Sequence, residues 1–289
     1  MKAECLAAAG ADGHADVWFQ IAGMKNELRR IAALPNSTFT VREAYEHLAR
    51  LPSMPQVVYT RLPIADETGP PENILTDLVE ALASVAAAGG GGSHGGAPTA
   101  MVFNCQMGRG RTTTAMVCAT IMLKAAQGWR APAGAATQLP AAESTTRDLA
   151  KGEFHGLLKL LVLLDDRAAA TVAGGGAEPP SQPSARRQPS GAGMRAKLLA
   201  DECIAECSEV QHLVTAIGQC KADADAGARG KPAEFWLKRG GRYLERYALL
   251  VVFAAYVLAE ADRGYQQTFT AWFHKRWQLV RVISELSLA

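Results

Sequence analysis

The segment 99–127 constrains the fold most strongly, because an apolar run, a glycine-bearing loop and a helical pattern follow one another without a break. Residues 99–104 form a short apolar run of the kind found in buried parallel strands. Between Thr112 and Gln127 there is no glycine or proline, and three threonines at its start can cap a helix. Strand, tight loop and helix in this order are typical of α/β folds.

Other segments extend this pattern. Residues 56–62 alternate as in a strand, and residues 70–88 place apolar side chains at helical spacing. Beyond residue 193 helical periodicity dominates, over residues 194–224, 241–261 and 268–288. We therefore predict an α/β fold, with a central sheet flanked by helices and a C-terminal helical extension.

Three stretches interrupt the regular patterning: 86–98 with its glycine run, 131–142, and 168–193, which is rich in Ala, Gly, Pro and Ser. The last is long enough to separate two parts of the chain. The predicted organisation is an N-terminal helical segment over 1–35, a catalytic domain over 36–167, a flexible linker over 168–193 and a C-terminal helical region over 194–289.

Composition limits the partners and the compartment. The 289 residues are 48% apolar, which is ample for a core, and the formal net charge of +2 gives no global attraction for nucleic acid. The six cysteines lack disulfide-domain spacing, and residues 1–10 do not resemble a signal peptide. The longest apolar run, 248–259, is far shorter than the roughly 20 residues that cross a bilayer. We expect a cytosolic protein with no nucleic-acid partner and no transmembrane segment, although peripheral membrane contact is compatible with the sequence.

The loop between residues 104 and 112 has the composition of an anion site. A loop that leads into a helix directs backbone N–H groups and the positive end of the helix dipole at one point, which suits a phosphate dianion. Glycines allow the close approach and the positive φ that such a loop requires. Arg109 adds a charge that favours multiply phosphorylated substrates, unless it points into solvent. The predicted substrate-binding residues are Gln106, Met107, Gly108, Arg109 and Gly110.

Four residues are candidates for catalysis. Cys105 lies at the mouth of the loop, where the same donors would lower its pKa below the ~8.5 of an ordinary cysteine and make it a nucleophile. Arg111 can hold two phosphoryl oxygens with its planar guanidinium, and the Thr112 hydroxyl can donate to the sulfur. Asp66 lies on a loop rich in proline and glycine and is the predicted general acid, with Glu67 as its rival.

These residues resemble a known family. Cys-x5-Arg-Thr after an apolar strand is the signature of the protein tyrosine phosphatase superfamily, and residues 103–114 are similar to the paladin family, a relative of the cysteine phytases. Residues 58–63, 152–154 and 243–247 extend the resemblance over roughly residues 16–288, apart from the three insertions. The resemblance implies a phosphatase-like central sheet.

In the paladin family the unit recurs in tandem, and residues 17–34 resemble the end of a helical region between repeats. Since this sequence has one copy of the loop, we hypothesise a fragment or a single-repeat relative. A second Cys-x5-Arg loop encoded upstream would support the fragment, and a stop codon directly before Met1 would contradict it.

Two positions depart from the superfamily pattern. Asn104 stands where histidine usually precedes the nucleophile, and Ile64-Ala65-Asp66 replaces the usual Trp-Pro-Asp of the acid loop. Asparagine is what the paladin family has at this position, and it can still hydrogen-bond the loop. The departures leave phosphate binding better supported than turnover.

The sequence leaves two main functions open. One is a cysteine-dependent phosphatase that acts through a cysteinyl phosphate on a phosphoinositide, an inositol phosphate or a phosphoprotein. The other is a catalytically impaired pseudophosphatase that binds a phosphorylated partner as a signalling scaffold. A sulfur-transfer or arsenate-reducing enzyme is disfavoured, because Asp66 would then have no role. The sequence determines neither the substrate nor the oligomeric state.

No metal or other cofactor is expected. Cys203 and Cys207 are four residues apart with His212 nearby, but no second ligand pair at zinc spacing follows. Buried structural cysteines explain them more simply. Cys118, on the helix after the loop, is likewise expected in the core.

Overall fold

The structure is a computed structural model that describes residues 2–21, 25–34, 36, 38–52, 57–89, 100–106, 108–133, 154–172, 191–209 and 211–288. The chain divides into two compact units, residues 1–61 and 62–289. Each unit is described by itself.

The first unit contains two short helices and a hairpin. Its elements are α1 (Lys2–Ala7), β1 (His14–Ile21), β2 (Lys25–Ala32) and α2 (Val41–Leu48). The two strands are antiparallel, with His14 opposite Ala32 and Trp18 opposite Leu28. Helix α2 begins with a capping box, in which the Thr40 hydroxyl accepts from the Glu43 amide at 3.2 Å and the Glu43 carboxylate accepts from the Thr40 amide at 2.7 Å.

The prediction of a helical segment over residues 1–35 is wrong for most of its length. Only α1 is helical in the part of this segment that the structure describes, and residues 14–21 and 25–32 form the two strands of the hairpin. Val17, Trp18 and Phe19 follow one another in β1, and β-branched and aromatic side chains favour the pleated backbone. The two strands pair along their whole described length, which satisfies the backbone groups that face the other strand.

The second unit is helical in all of its regular elements among the described residues. The helices are α3 (Glu72–Gly89), α4 (Gly110–Ala126), α5 (His155–Val172), α6 (Ala192–Glu206), α7 (Leu213–Asp225), α8 (Ala233–Glu260), α9 (Phe269–His274) and α10 (Trp277–Ser284). The predicted helices near residues 70–88 and 112–127 are confirmed, as is the helical character of residues beyond 193.

Helix α8 lies at the centre of the second unit. It packs against α4, α6 and α7, and residues 251–254 in its middle are fully buried. A helix that is apolar on every side must be covered on every side, so the prediction that residues 248–259 form a buried helix is confirmed. None of the helices in the described part of the chain is long and apolar enough to span a membrane.

The predicted strands at 56–62 and 99–104 are not observed among the described residues of these segments. Their exposure alternates instead: Val58 and Val102 are 83% and 87% exposed, whereas Leu62, Met101 and Phe103 pack against the core. This alternation suits extended chain with one covered face. A ladder needs a hydrogen-bonded neighbour, and the two-stranded hairpin of the first unit is the only sheet in the part of the chain that the structure describes. The central sheet of the predicted α/β fold is therefore not seen there.

The unit boundary also differs from the predicted domain boundaries. Residues 36–61 cluster with the N-terminal hairpin, and residues 62–289 share one core. Leu78 and Ile121, from the predicted catalytic domain, belong to the same buried cluster as Leu199 and Val251 from the predicted C-terminal region. Helices that bury their apolar faces against one another form a single core rather than two domains.

Most of the three predicted insertions lies outside the described residues, namely 90–98, 134–142 and 173–190. At their described edges the regular structure extends further than predicted. Helix α3 continues to Gly89, α5 continues to Val172, and α6 begins at Ala192.

A small residue is required where α6 approaches α5. A Cβ at Gly193 would collide with the Leu161 carbonyl oxygen and lie 3.0 Å from the Leu161 carbonyl carbon, which is backbone and cannot turn away. We expect Gly193→Ala to lower the free energy of unfolding by about 2 kcal/mol, because the helices must separate. Urea denaturation measures this change.

Gly218→Ala is the matched control, since this glycine also lies inside a helix but nothing in the described structure stands within 4 Å of where its Cβ would lie. Alanine there should be neutral or stabilise by up to about 1 kcal/mol, because it favours the helix. Equal unfolding curves for the two variants would contradict the predicted packing at Gly193.

Candidate active site

The N-terminus of α4 forms the centre of the candidate site. Gly108 has a φ of +69°, which directs the loop into the helix, and Arg109 is the N-cap without any capping hydrogen bond from its side chain. The first amide N–H groups of a helix have no intrahelical acceptor. Because the side chain of Arg109 does not satisfy them, these donors and the helix dipole favour an anion at this point.

Buried donors without partners gather at the same place. The side-chain atoms Arg111 Nε, Thr112 Oγ1, Thr113 Oγ1 and Arg246 Nε are buried and lack a hydrogen-bond partner in the described structure. A buried polar group without a partner costs free energy, so native proteins rarely leave several together. Three of these residues, Arg111, Thr112 and Thr113, lie in the first turn of α4, which is a second observation, independent of the dipole, that indicates an anion-binding site.

The predicted acid and the predicted phosphate clamp lie next to each other. Asp66 Oδ1 is 3.2 Å from Arg111 Nη2, although Asp66 lies in a loop and Arg111 in the first turn of α4, far apart in sequence. The Asp66 side chain is 64% exposed and that of Arg111 is 21% exposed. The carboxylate can therefore reach a ligand from the solvent side while the guanidinium is held by the protein.

The rival acid, Glu67, is engaged elsewhere. Its carboxylate lies 3.7 Å from Arg239 Nη2 and 3.4 Å from Arg242 Nη1, both on α8, and its backbone has a positive φ of 57°. The Thr68 hydroxyl donates to the Ala65 carbonyl at 3.1 Å, which closes the turn. Glu67 thus anchors the loop, and Asp66 is left facing Arg111.

The remaining predicted loop residues occupy different positions. Cys105 is half-buried, and Gln106 and Arg109 are exposed. Gly110 is the first residue of α4, and Met107 lies outside the described residues. The exposure of Arg109 permits either of the two roles considered for it.

The predicted bond from the Thr112 hydroxyl to the Cys105 sulfur is not formed in this structure, since Thr112 Oγ1 has no hydrogen-bond partner in the part of the chain described. Thr112 is buried in the first turn of α4, whereas Cys105 is half-buried. The nearby Thr114 donates to the Gly110 carbonyl at 2.8 Å and so belongs to the helix rather than to the site.

Arg246 is a site residue that the sequence did not reveal. It is 2% exposed, its Nη2 donates to the Thr68 carbonyl at 3.1 Å, and its guanidinium lies over the Tyr243 ring at 5.7 Å. Burial lowers the pKa of this guanidinium, and the negative charges of Asp66, Glu67 and Glu245 oppose that shift. Its position beside the apolar run of α8 is the sequence feature that could have indicated a buried arginine, because charged side chains are rarely buried unless they are paired or hydrogen-bonded.

The other cysteines belong to the core. Burial raises the pKa of Cys203 to about 12 and raises the pKa of Cys118 further, which makes both thiols unreactive at neutral pH. His212 caps α7, with Nδ1 accepting from the Thr215 amide at 3.3 Å. Within the described residues, no group of three or more His, Cys, Asp or Glu side chains is arranged to hold a metal ion.

Comparison with known proteins agrees with this geometry. The sequence profile of the protein tyrosine phosphatase-like phytases, described by the words inositol hexakisphosphate, matches residues 5–123. The match includes the loop and the first turns of α4. The chain therefore contains a phosphatase-like domain.

Curated relatives narrow the assignment. Paladin of Homo sapiens is 28% identical over 242 residues, which cover 82% of this chain and 24% of that protein. Paladin of Gallus gallus is 29% identical over 223 residues, covering 76% and 22%, and paladin of Danio rerio is 26% identical over 252 residues, covering 83% and 24%. No solved structure matches the chain significantly. The chain is similar to the protein tyrosine phosphatase-like phytase profile over residues 5–123 and to paladins over most of its length, and it spans about a quarter of the length of the curated relatives it matches.

Proposed function

We propose that this chain is a cysteine-dependent phosphatase that hydrolyses phosphate monoesters. The observation that carries the proposal is the approach of Asp66 to Arg111, 3.2 Å apart, beside the unsatisfied donors at the start of α4. Transfer of a phosphoryl group from an alkyl ester requires a proton for the leaving alcohol and positive charge around the phosphoryl oxygens. An acid, a guanidinium and a helix N-terminus around one point can supply both.

In the first step of the proposed reaction, the Cys105 thiolate attacks phosphorus while the bond from phosphorus to the ester oxygen breaks. The electron pair stays on that oxygen, which takes a proton from Asp66 and leaves as the alcohol. Arg111 and the first amides of α4 hold the other phosphoryl oxygens. The product is a cysteinyl phosphate and an ionised Asp66.

In the second step, a water molecule attacks the cysteinyl phosphate. Asp66 accepts a proton from this water, the sulfur–phosphorus bond breaks, and inorganic phosphate leaves with Cys105 restored as a thiolate. Gln106, Met107, Gly108, Arg109 and Gly110 are proposed to line the phosphate. The reaction as written uses no metal and no other cofactor.

Several substrate classes remain within the proposal: phosphoinositides, soluble inositol phosphates and phosphoproteins. The matching family profile carries the name of inositol hexakisphosphate, and Arg109 adds exposed positive charge beside the loop. Both favour a ligand with more than one phosphate. We propose a cytosolic role in signalling by dephosphorylation, with peripheral contact to a membrane where the substrate is a lipid headgroup.

The site residues 66 and 105–112 lie inside the predicted catalytic segment 36–167. We propose that this segment carries the chemistry and that helices of the predicted C-terminal region support it, because α8 contacts both loops through its arginines. The activity of the much longer relatives is extended to this chain only as part of this proposal.

Phosphate release tests the proposal. A panel of phosphoinositides, inositol polyphosphates and phosphotyrosine peptides is incubated with the protein in the presence of EDTA. We expect Asp66→Asn to lower kcat on the best substrate by about 10²-fold or more, because the leaving alcohol loses its proton donor. Glu67→Gln is the matched control and should change kcat less than about threefold, since the Glu67 carboxylate faces α8 rather than the phosphate loop.

A second candidate is a pseudophosphatase that binds a phosphorylated partner without turnover. Asn104 in place of the histidine that usually precedes the nucleophile favours this candidate. Tight binding of inositol polyphosphate without release, lost in Arg111→Ala, would establish this candidate. Release that depends on Cys105 would exclude it.

A further inference from the structure

One face of α8 holds three arginines against the acid loop. Arg239, Arg242 and Arg246 are spaced by three and four residues, so they point to the same side of the helix. Tyr243 lies between them, with the guanidinium of Arg239 and that of Arg246 each 5.7 Å from its ring. The Tyr243 hydroxyl accepts from Arg239 Nε at 3.1 Å. The face is therefore ordered by its own contacts.

Two of these arginines differ from the third. Arg239 and Arg242 have side chains 37% and 40% exposed, and their pairs with Glu67 are open to solvent and screened by salt. Arg246 is buried, and no carboxylate of the described residues lies within ion-pair distance of it. A buried cation without a counter-ion is costly, so its retention demands another explanation.

Arg246 contacts both halves of the site. Its Nη2 donates to the Thr68 carbonyl of the acid loop, and its Nη1 lies only 2.6 Å from where a Cβ would stand on Gly110, the first residue of α4. Gly69 approaches α8 equally closely, with Leu249 Cδ1 2.6 Å from its own Cβ position. A larger residue at Gly110 would displace the Arg246 guanidinium, and one at Gly69 would displace the Leu249 side chain.

We propose that Arg246 is a positioning residue that locks the acid loop to the phosphate loop and so holds Asp66 in reach of the phosphate. The role of Asp66 in this proposal rests on the proposed function, whereas the anchoring of the acid loop by Arg246 does not depend on any activity. Arg246 acts through Thr68 and Gly110 and does not touch the substrate, because it is buried beneath them.

Proteolysis measures the locking without any need for turnover. A glutamyl endopeptidase cuts after Glu67, and an anchored loop resists it. We expect Arg246→Met to speed the cut between Glu67 and Thr68 by about tenfold, detected by mass spectrometry as fragments 1–67 and 68–289. Arg246→Lys keeps a donor for the Thr68 carbonyl and should stay within about threefold of the wild type. Arg281→Met, on α10, is the control for loss of an exposed arginine.

Turnover on two kinds of ester measures the consequence for Asp66. An alkyl phosphate needs a proton on its leaving oxygen, whereas the nitrophenolate of p-nitrophenyl phosphate departs readily without one. We expect Arg246→Met to lower kcat on an alkyl phosphate by about 10²-fold and on p-nitrophenyl phosphate by less than about threefold. Equal losses on both esters would overturn the proposal, because they would show that the phosphate loop itself had moved.

The proteolysis result stands apart from the proposed function. If the protein has no phosphatase activity but Arg246→Met is still cut faster after Glu67, the proposed function is refuted and the anchoring of the acid loop by Arg246 is supported. If the bond resists equally in Arg246→Met and in the wild type, the lock is refuted whatever the activity. If Arg246→Met is cut at all glutamates, the variant has unfolded, and the single variants Arg246→Lys and Gly110→Ala then decide the question. The lock requires faster cutting after Glu67 in Gly110→Ala and a rate close to that of the wild type in Arg246→Lys.

Discussion

Replacement of Cys105 by serine should abolish phosphate release. We expect kcat to fall by at least about 10⁴-fold, because a serine hydroxyl is not ionised at neutral pH and the proposed mechanism supplies no base to activate it. Binding of inositol hexakisphosphate, measured by isothermal titration calorimetry, should change by less than about threefold, since Arg111 and the α4 amides remain in place. Loss of turnover with retained binding is the signature of a removed nucleophile.

Cys118→Ser provides the control for this variant. Cys118 lies eight residues into α4 beyond Gly110 and is fully buried, and its raised pKa excludes a thiolate at neutral pH. We expect turnover per folded molecule to stay within about twofold of the wild type, with some loss of stability from the buried hydroxyl. Undiminished release by Cys105→Ser would show that the nucleophile lies elsewhere.

The helices of the second unit were predictable because each carries an uninterrupted pattern of apolar residues. Residues 72–88 and 112–127 contain no glycine or proline, and local propensity and packing agree in α3 and α4. The loop that precedes α4 was predictable for the same reason, since its glycines and the helix start lie within a few residues of each other. Local chemistry identified Cys105, Arg111 and Asp66 as candidates.

The sheet could not be predicted in the same way. Whether residues 57–62 and 100–104 pair in a sheet depends on strands that lie far away in sequence. The alternation of apolar and polar residues shows that one face of a segment is covered, but it does not identify a hydrogen-bonded partner strand. The prediction for the first unit is wrong for a different reason: residues 17–34 resemble a helical region between repeats, whereas Val17, Trp18 and Phe19 favour the strand that is observed.

Arg246 shows what sequence patterns omit at a site. It lies far along the chain from Arg111, and only the packing of α8 against α4 brings it beneath Gly110. In sequence, only its position next to the apolar run distinguishes Arg246 from the more exposed Arg242 one helical turn earlier. Long-range coupling of this kind is determined by tertiary packing, which the pattern of a single helix does not record.

Replacement of Arg111 by lysine should have the second largest effect, smaller than that of losing the nucleophile. A planar guanidinium holds two phosphoryl oxygens at fixed geometry, whereas an ammonium is a point charge on a flexible stem. We therefore expect Arg111→Lys to lower kcat/KM by about 10²–10³-fold, the usual effect of removing an oxyanion donor. Steady-state kinetics on the best substrate of the panel measures the change.

Arg109→Lys is a matched control, because it makes the same substitution two residues earlier at an exposed side chain. If Arg109 only contributes positive charge beside the loop, lysine preserves it and kcat/KM should change by less than about threefold. A large loss of kcat/KM in Arg109→Lys with a small loss in Arg111→Lys would show that the more exposed arginine holds the phosphoryl oxygens. Since Arg111 is held next to both Asp66 and the start of α4, we expect the reverse order.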